Sequence, residues 1–343
     1  MPIELDATRP LSAVVVGRAG IDFYPLPDDT RTERAAQFAA EVGGSAGNIA
    51  VALARQGCRV ALLGPLSDDA VGRFVRRHLA RFGVDTSRCR AIGGEFRTSL
   101  AICETRREDG ETVFYRNGAV DLQLSRQDFD AAFIASAAVL IVTGTALAAE
   151  PSRSAALEAL TMARAAGTFS ILDVDHRAVS WSSDQEAMRI YAQAAQRCDA
   201  VVGNDYEFGL IAGGAAAALA AAVAFVGQGG RFAIFKQGGA GSVTITAERR
   251  FQTGIVAVDV KKPFGAGDAF LGNLVGALLR GEPLEPAVQR ASAAAAWVVA
   301  RRGCAFAMPS AAELDAFQQA HPITAPQPMT PAPPTAAPDR AQS

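Results

Sequence analysis

Short runs of β-branched and aliphatic residues recur along the chain, bounded by glycine or polar residues: AVVVG (13–17), RVALLG (59–64), VLIVTG (139–144), FSILDVD (169–175), AVVGN (200–204) and FAIFKQG (232–238). Runs of this length with no polar alternation predict strands buried on both faces. Between most of them lie Ala-, Leu- and Arg-rich segments of helical period, at 47–56, 71–82, 152–166 and 186–197. The alternation predicts an α/β fold with a mostly parallel sheet and helices on both faces.

One stretch breaks that rhythm. From about 89 to 122 the residues alternate like exposed strands, and the turn REDGE (107–111) predicts a hairpin. Together with residues 18–40, which follow the first strand, it predicts a small β-layer over one edge of the sheet, a lid. From Pro322 onward the chain is rich in Pro, Ala and Thr and nearly lacks large apolar residues, so 322–343 is expected to be a disordered tail. The folded domain is expected over 11–320.

Composition narrows the function. Half of the 343 residues are apolar and a fifth are charged, which suits a large packed core. The net charge of −2 comes with scattered basic residues, so the expectation is a small-molecule partner and neither nucleic acid nor membrane. Five widely spaced cysteines without a CxxC pair argue against a disulfide framework or a zinc site. Two apolar stretches, 131–149 and 211–230, are interrupted by Ser, Thr and Gly or are mostly alanine, and read as a buried strand and an Ala-rich helix. The charged N-terminus lacks the long apolar stretch of a secretion signal, so a cytoplasmic protein is expected.

The chemistry concentrates in KKPFGAGDAF (261–270). After Gly265, Ala266 and Gly267, apolar residues recur at helical spacing, with Gly281 as the expected C-terminal stop. Bare N–H groups at a helix start bind anionic oxygens, helped by the helix dipole. An aspartate there would repel a phosphate, but Asp268 makes sense as a base that accepts the proton of an attacking alcohol, while the N–H groups of Gly265, Ala266 and Gly267 stabilise the transferring phosphoryl group. A glycine turn with Asp268 as a plain helix cap fits the same residues.

GAGD opening a late helix resembles the second signature of the PfkB family of carbohydrate kinases, and GGSAGNIAVALARQG, with Gly43, Gly44 and Asn48, resembles the first. The resemblance covers about 11–315 and implies the ribokinase-like three-layer α/β/α fold. It implies that Asp22 of GRAGID, with Gly44 and Asn48, contacts substrate hydroxyls. It implies that Asn204 and Glu207 of NDYE organise Mg²⁺ and phosphate through water, and that ATP lies across Asn204, Lys236, Gly238, Gly239, Gly241 and the 265–268 turn. The family's usual DTTGAGD is replaced here by Lys262, Pro263 and Phe264 before GAGD. The lost aspartate helps hold a monovalent cation in ribokinase-like members, so the Lys262 ammonium is a candidate to stand in for that ion; a solvent-pointing Lys262 fits the sequence equally. A P-loop is absent, and GGSAGN does not have dinucleotide GxGxxG spacing.

An acidic sugar requires fixed cations, because a buried carboxylate is tolerated only when paired. Tyr115 and Arg116 on a lid strand, and Arg177 just past a strand end, resemble the substrate-gripping residues of sugar-acid kinases. FYRNGAVDL, DVDHR and KPFGAGDAF together most resemble the branch of the family that phosphorylates the C6 hydroxyl of 5-dehydro-2-deoxygluconate in myo-inositol catabolism. Kinases of 2-keto-3-deoxygluconate, fructose or ribose remain alternatives, as does a sugar or nucleotide sensor that has lost catalysis. A homodimer through unpaired lid strands is also implied.

Overall fold

The computed structural model describes residues 3–106, 108–262, 264–323 and 326–329; nothing is stated for the remainder, nor for the side chain of Ala215. In chain order the strands are β1 (Leu11–Val16), β2 (Gly20–Leu26), β3 (Gln37–Gly43), β4 (Val60–Leu63), β5 (Leu66–Ser67), β6 (Ala91–Ile92), β7 (Leu100–Cys103), β8 (Thr112–Tyr115), β9 (Ala137–Thr143), β10 (Phe169–Asp173), β11 (Ala200–Asn204), β12 (Phe232–Lys236), β13 (Ser242–Thr246), β14 (Arg250–Thr253) and β15 (Gln327–Met329). The helices are α1 (Ser45–Arg55), α2 (Ala70–Arg81), α3 (Ala131–Ala135), α4 (Ser152–Ala166), α5 (Asp184–Ala195), α6 (Asp205–Ala212), α7 (Ala218–Gly227), α8 (Ala266–Leu279), α9 (Leu284–Val299) and α10 (Ala311–Ala320).

Nine strands form the central sheet in the order β15-β14-β13-β12-β11-β10-β9-β1-β4. The six from β4 to β12 run parallel, and β13, β14 and β15 close one side antiparallel. Strand parity divides the core. On β1, Ala13 and Val15 face a cluster with Ile49, Leu53, Leu271 and Leu274 of α1 and α8, whereas Val14 and Val16 face Leu160, Tyr191 and Phe208 of α4, α5 and α6. Each face is thereby sealed by a helical layer, giving the three layers expected.

Order along the sheet fixes where a ligand can sit. The chain leaves β1 for β4 on one side and later returns to β9 on the other, so the strand order reverses at β1. Open α/β sheets have their crevice at the carboxyl ends of strands beside such a reversal. A second sheet, β3-β2-β7-β8, stands over that crevice and is the lid.

Three sequence expectations are corrected. The 211–230 segment is not one helix, because Gly213 at φ 81° ends α6 before α7 begins. The antiparallel strands β13 and β14 extend the sheet beyond the last strand foreseen. Finally, the chain does not leave the fold at 322: Gln327–Met329 pairs antiparallel with β14, with Pro328 tolerated because the strand lies at the sheet's edge. The rest of the expected tail, at 324, 325 and 330–343, lies outside the described residues. Among those described, no helix is long and apolar enough to cross a membrane.

Candidate active site

The site is built around the start of α8. Gly265 takes φ 85°, and a side chain there would meet Cys304 Sγ at 2.9 Å, so the turn demands glycine. No side chain caps the helix, which leaves its first N–H groups open toward the crevice. Asp268 sits in this first turn. Its Oδ2 accepts a 2.7 Å hydrogen bond from Asn48 Nδ2, across 220 residues of sequence. Asn48 is held by the first turn of α1, whose preceding Gly44 has φ 87° and would clash with the Arg18 carbonyl, 2.6 Å away, if it carried a Cβ. The two glycine signatures therefore meet at one carboxylate.

Carboxyl ends of neighbouring strands supply the surrounding charge. The register aligns Thr143 with Asp173 and Asn204 with Lys236. Lys236 Nζ lies 3.9 Å from Asp173 Oδ1 and 3.3 Å from where a Cβ on Gly267 would be. Asp175 pairs with Arg177 at 2.6 Å, adopts φ 32°, and buries an Oδ2 that accepts no hydrogen bond from the described residues. A non-glycine residue at positive φ marks stored backbone strain, a feature that clusters at functional sites. Glu207 and Asn204 form a capping box on α6, and the Glu207 oxygens accept the N–H groups of His176 at 3.1 Å and Asn204 at 2.7 Å.

Crowding of acids shifts their titration. Burial first, then the Asp175 charge, pushes Asp268 up to about 7, against the pull of Asn48, Arg177 and Lys236. Burial likewise drives Asp173 well up, with Lys236 opposing and Asp175, Glu207 and Asp268 reinforcing. For Lys236, burial favours the neutral amine, but the surrounding carboxylates outweigh it and raise its pKa.

Beside Lys236 opens a cavity of about 470 Å³ walled by Gly238, Gly239 and Gly241, by Ala266 and Gly267 of the α8 turn, and by apolar residues such as Val258 and Val299. Its glycine rim and apolar walls fit a flat heterocycle with phosphates directed to the open N–H groups.

On the lid side, Asp22, Ala101 and Phe114 lie in one row across β2, β7 and β8. Asp22 is buried and raised by burial, with Arg18, the Tyr24 hydroxyl at 3.4 Å and Lys262 all pulling it back. Arg116 bridges the lid to the sheet: it pairs with Asp121 and donates to the Thr145 carbonyl at 2.9 Å and to Ser180 Oγ at 2.7 Å. Tyr115 is a correction. Strand alternation places it opposite Leu100, on the face away from Asp22 and Phe114, and 56% of it is exposed. Lys262 is also settled as to direction. It is buried at 1% exposure beneath the glycine turn, with Nζ donating to the Phe264 carbonyl at 2.6 Å and 4.8 Å from the Phe264 ring centroid.

Asp22, Asn48, Arg177, Asn204, Lys236, Glu207 and the 265–268 turn thus surround one crevice, whereas Tyr115 does not join them. Sequence reasoning missed Arg18, Asp121, Asp173 and Asp175. Each lies inside a stretch read for a different residue: GRAGID for Asp22, FYRNGAVDL for Arg116, DVDHR for Arg177. Their signal was a second charged residue a few positions away in the same motif.

Residues 11–311 match the pfkB family carbohydrate kinase pattern. The 5-dehydro-2-deoxygluconokinase of Photobacterium profundum is 41% identical over 313 residues, 90% of this chain and 95% of that protein. The 5-dehydro-2-deoxygluconokinase of Geobacillus kaustophilus is 32% identical over 93% of this chain and 97% of its own length. An E. coli protein crystallised with ATP and Mg²⁺ superimposes with a TM-score of 0.82 at 21% identity, covering 91% of this chain and all of that one, which shows a shared fold.

Proposed function

Because the chain belongs to the pfkB family of carbohydrate kinases, we propose that it transfers the γ-phosphoryl group of ATP to the C6 hydroxyl of 5-dehydro-2-deoxygluconate. The observation that carries this reading is the 2.7 Å contact between Asn48 and Asp268 at an uncapped helix start, beside Lys236 and the glycine-rimmed cavity. It assembles a base, an anion hole and a nucleotide slot in one place.

Asp268 is the base. A carboxyl raised to about 7 is about half ionised at neutral pH and basic enough to take the alcohol proton as the oxygen attacks phosphorus. The N–H groups of Gly265, Ala266 and Gly267 receive the negative charge of the transferring group, with Lys236 beside them. ATP spans Asn204, Gly238, Gly239, Gly241 and the 265–267 turn. Asp22, Gly44 and Asn48 orient the sugar, Arg116 and Arg177 flank its carboxylate end, and the lid excludes water.

The acidic row fits a hydrated Mg²⁺. Among the described residues no three carboxylate, His or Cys groups converge as direct ligands, but Asp175 Oδ2 is unpartnered and both Glu207 oxygens keep a free lone pair. Asn204 and Glu207 would hold the ion through water, a mode that suits its reluctance to dehydrate. Bound there, Mg²⁺ neutralises phosphate charge. The buried Lys262 ammonium supplies a fixed positive charge under the anion hole, so no monovalent cation is required. The reaction belongs to the cytoplasm, where ATP is available, and the unpaired outer strands β3 and β8 of the lid give a second copy an edge to join.

ADP release with Mg-ATP tests the reading against a panel of 5-dehydro-2-deoxygluconate, 2-keto-3-deoxygluconate, fructose, ribose and adenosine. The first is expected to give the highest kcat/KM. A neutral sugar winning would discard the acidic substrate, and silence across the panel would favour a sensor.

A further inference from the structure

Arg18, Lys262 and Arg290 are buried among the described residues, and the side chain of Arg116 is buried against Asp121. Arg290 has Asp315 as its ion-pair partner, and Lys262 donates to a carbonyl at 2.6 Å. Arg18 is different. At 5% exposure it forms no ion pair with a described carboxylate, and its one hydrogen bond to a described residue, from Nη1 to Ser99 Oγ, is stretched to 3.5 Å. A guanidinium carries five donors, and those of Arg18 that no described residue accepts face the crevice, where a ligand can take them.

The position of this cation is specific. Arg18 follows β1 at the crevice, and its carbonyl accepts the Gly47 N–H at 3.2 Å, which ties it to the first glycine signature. Its guanidinium lies 5.7 Å from the Phe114 ring centroid, on the inner face of the lid that also carries Asp22. The two arginines that the sequence nominates are already committed: Arg116 to Asp121, Thr145 and Ser180, and Arg177 to Asp175. Asp121 is shared, because Ser99 Oγ reaches its Oδ1 at 3.4 Å. Asp121 therefore stands near two guanidinium groups, and the Asp22 charge on the same lid face attracts Arg18 without a direct ion pair.

We infer that Arg18 is the principal residue that pairs with the substrate carboxylate, with Arg116 and Asp121 positioning the lid around it. The inference rests on the acidic-sugar reading above and deepens it. A carboxylate entering beside Arg18 would take its free donors bidentately and give it the direct ion pair it lacks among the described residues. A neutral sugar would leave the guanidinium as it stands, so the same group that attracts the acid discriminates against its uncharged analogues.

The test compares 5-dehydro-2-deoxygluconate with its C1 carboxamide in the wild type, Arg18→Gln, Arg18→Lys and Arg116→Gln, with ATP-induced thermal shift as the folding control. The wild type is expected to prefer the acid. In Arg18→Gln the KM for the acid should rise about 100-fold with little change in the KM for ATP, and the acid-to-amide preference should collapse by a similar factor. Arg18→Lys, which keeps the charge but loses the fork, should fall between, and it carries the test if the glutamine variant does not fold. An Arg18 variant that keeps the wild-type preference while the wild type turns the acid over overturns the assignment and leaves the proposed function standing; so does loss of the preference in Arg116→Gln alone. A wild type inactive on the acid overturns both.

Discussion

Replacing Asp268 by Asn removes the proposed base while keeping the side chain's size and an oxygen for the Asn48 hydrogen bond. Loss of a positioned base costs roughly 10²- to 10⁴-fold in kcat, whereas sugar binding should persist. The pH dependence supplies a second, independent arm. With Asp268 raised to about 7, about 1% of it is ionised at pH 5 and about 90% at pH 8, so wild-type kcat/KM should climb roughly 90-fold across that range and level off above. In Asp268→Asn this acid limb should vanish. Stability should move in the opposite sense. A carboxyl whose folded pKa lies above its unfolded value disfavours the ionised folded state, a penalty absent below about pH 4 and complete above about pH 7. Lifting the group from 3.8 to about 7 corresponds to about 4 kcal/mol at full strength, which solvent reaching the crevice reduces to about 2 kcal/mol. Asp268→Asn should therefore be more stable than wild type at pH 8 and equal to it at pH 4, measured by urea unfolding at both pH values. Unchanged kcat, or an acid limb that survives the substitution, would refute the assignment of the base.

Two further predictions follow from the same geometry. Asn48→Ala removes a hydrogen bond that holds the Asp268 pKa down, so the acid limb of kcat/KM should shift to higher pH with a loss in kcat of about 10-fold; a pH–rate profile checks this, and a shift toward acid contradicts it. Titrating KCl at constant ionic strength should leave wild-type activity flat, because the Lys262 ammonium already occupies the ground beneath the glycine turn, whereas Lys262→Gln should lose activity and regain part of it with K⁺. Strong activation of the wild type by K⁺ would sink that role.

Much of this architecture was legible because it is local. Strands fully buried on both faces, such as Ala137–Thr143 and Ala200–Asn204, announce themselves as unbroken apolar runs, and the glycines of 265–267 announce a helix start. The antiparallel strands β13 and β14 did not, since SVTIT and RFQT interleave Ser, Thr, Arg and Gln with their apolar residues, although Ser242, Thr244 and Thr253 are buried in the fold. Tyr115 was misread for a related reason: which side of the lid it takes depends on its register against Leu100, and that pairing is not encoded in the motif around it. Arg18 was overlooked because GRAGID shows a second charged residue beside Asp22 but not that it is buried without an ion-pair partner among the described residues. Lys262 shows the same limit in reverse. Its place before GAGD was visible, but its turn inward follows from the fold of Phe264 and Cys304 around it.

The most direct measurement follows the phosphoryl group itself. The protein, Mg-ATP and 5-dehydro-2-deoxygluconate would be incubated and the products resolved by ³¹P–¹H correlation NMR. Phosphorus coupled to the C6 methylene protons, formed in step with ADP and absent in Asp268→Asn, is the predicted result. Inorganic phosphate alone, or phosphate carried on any other oxygen of the sugar, would contradict the account.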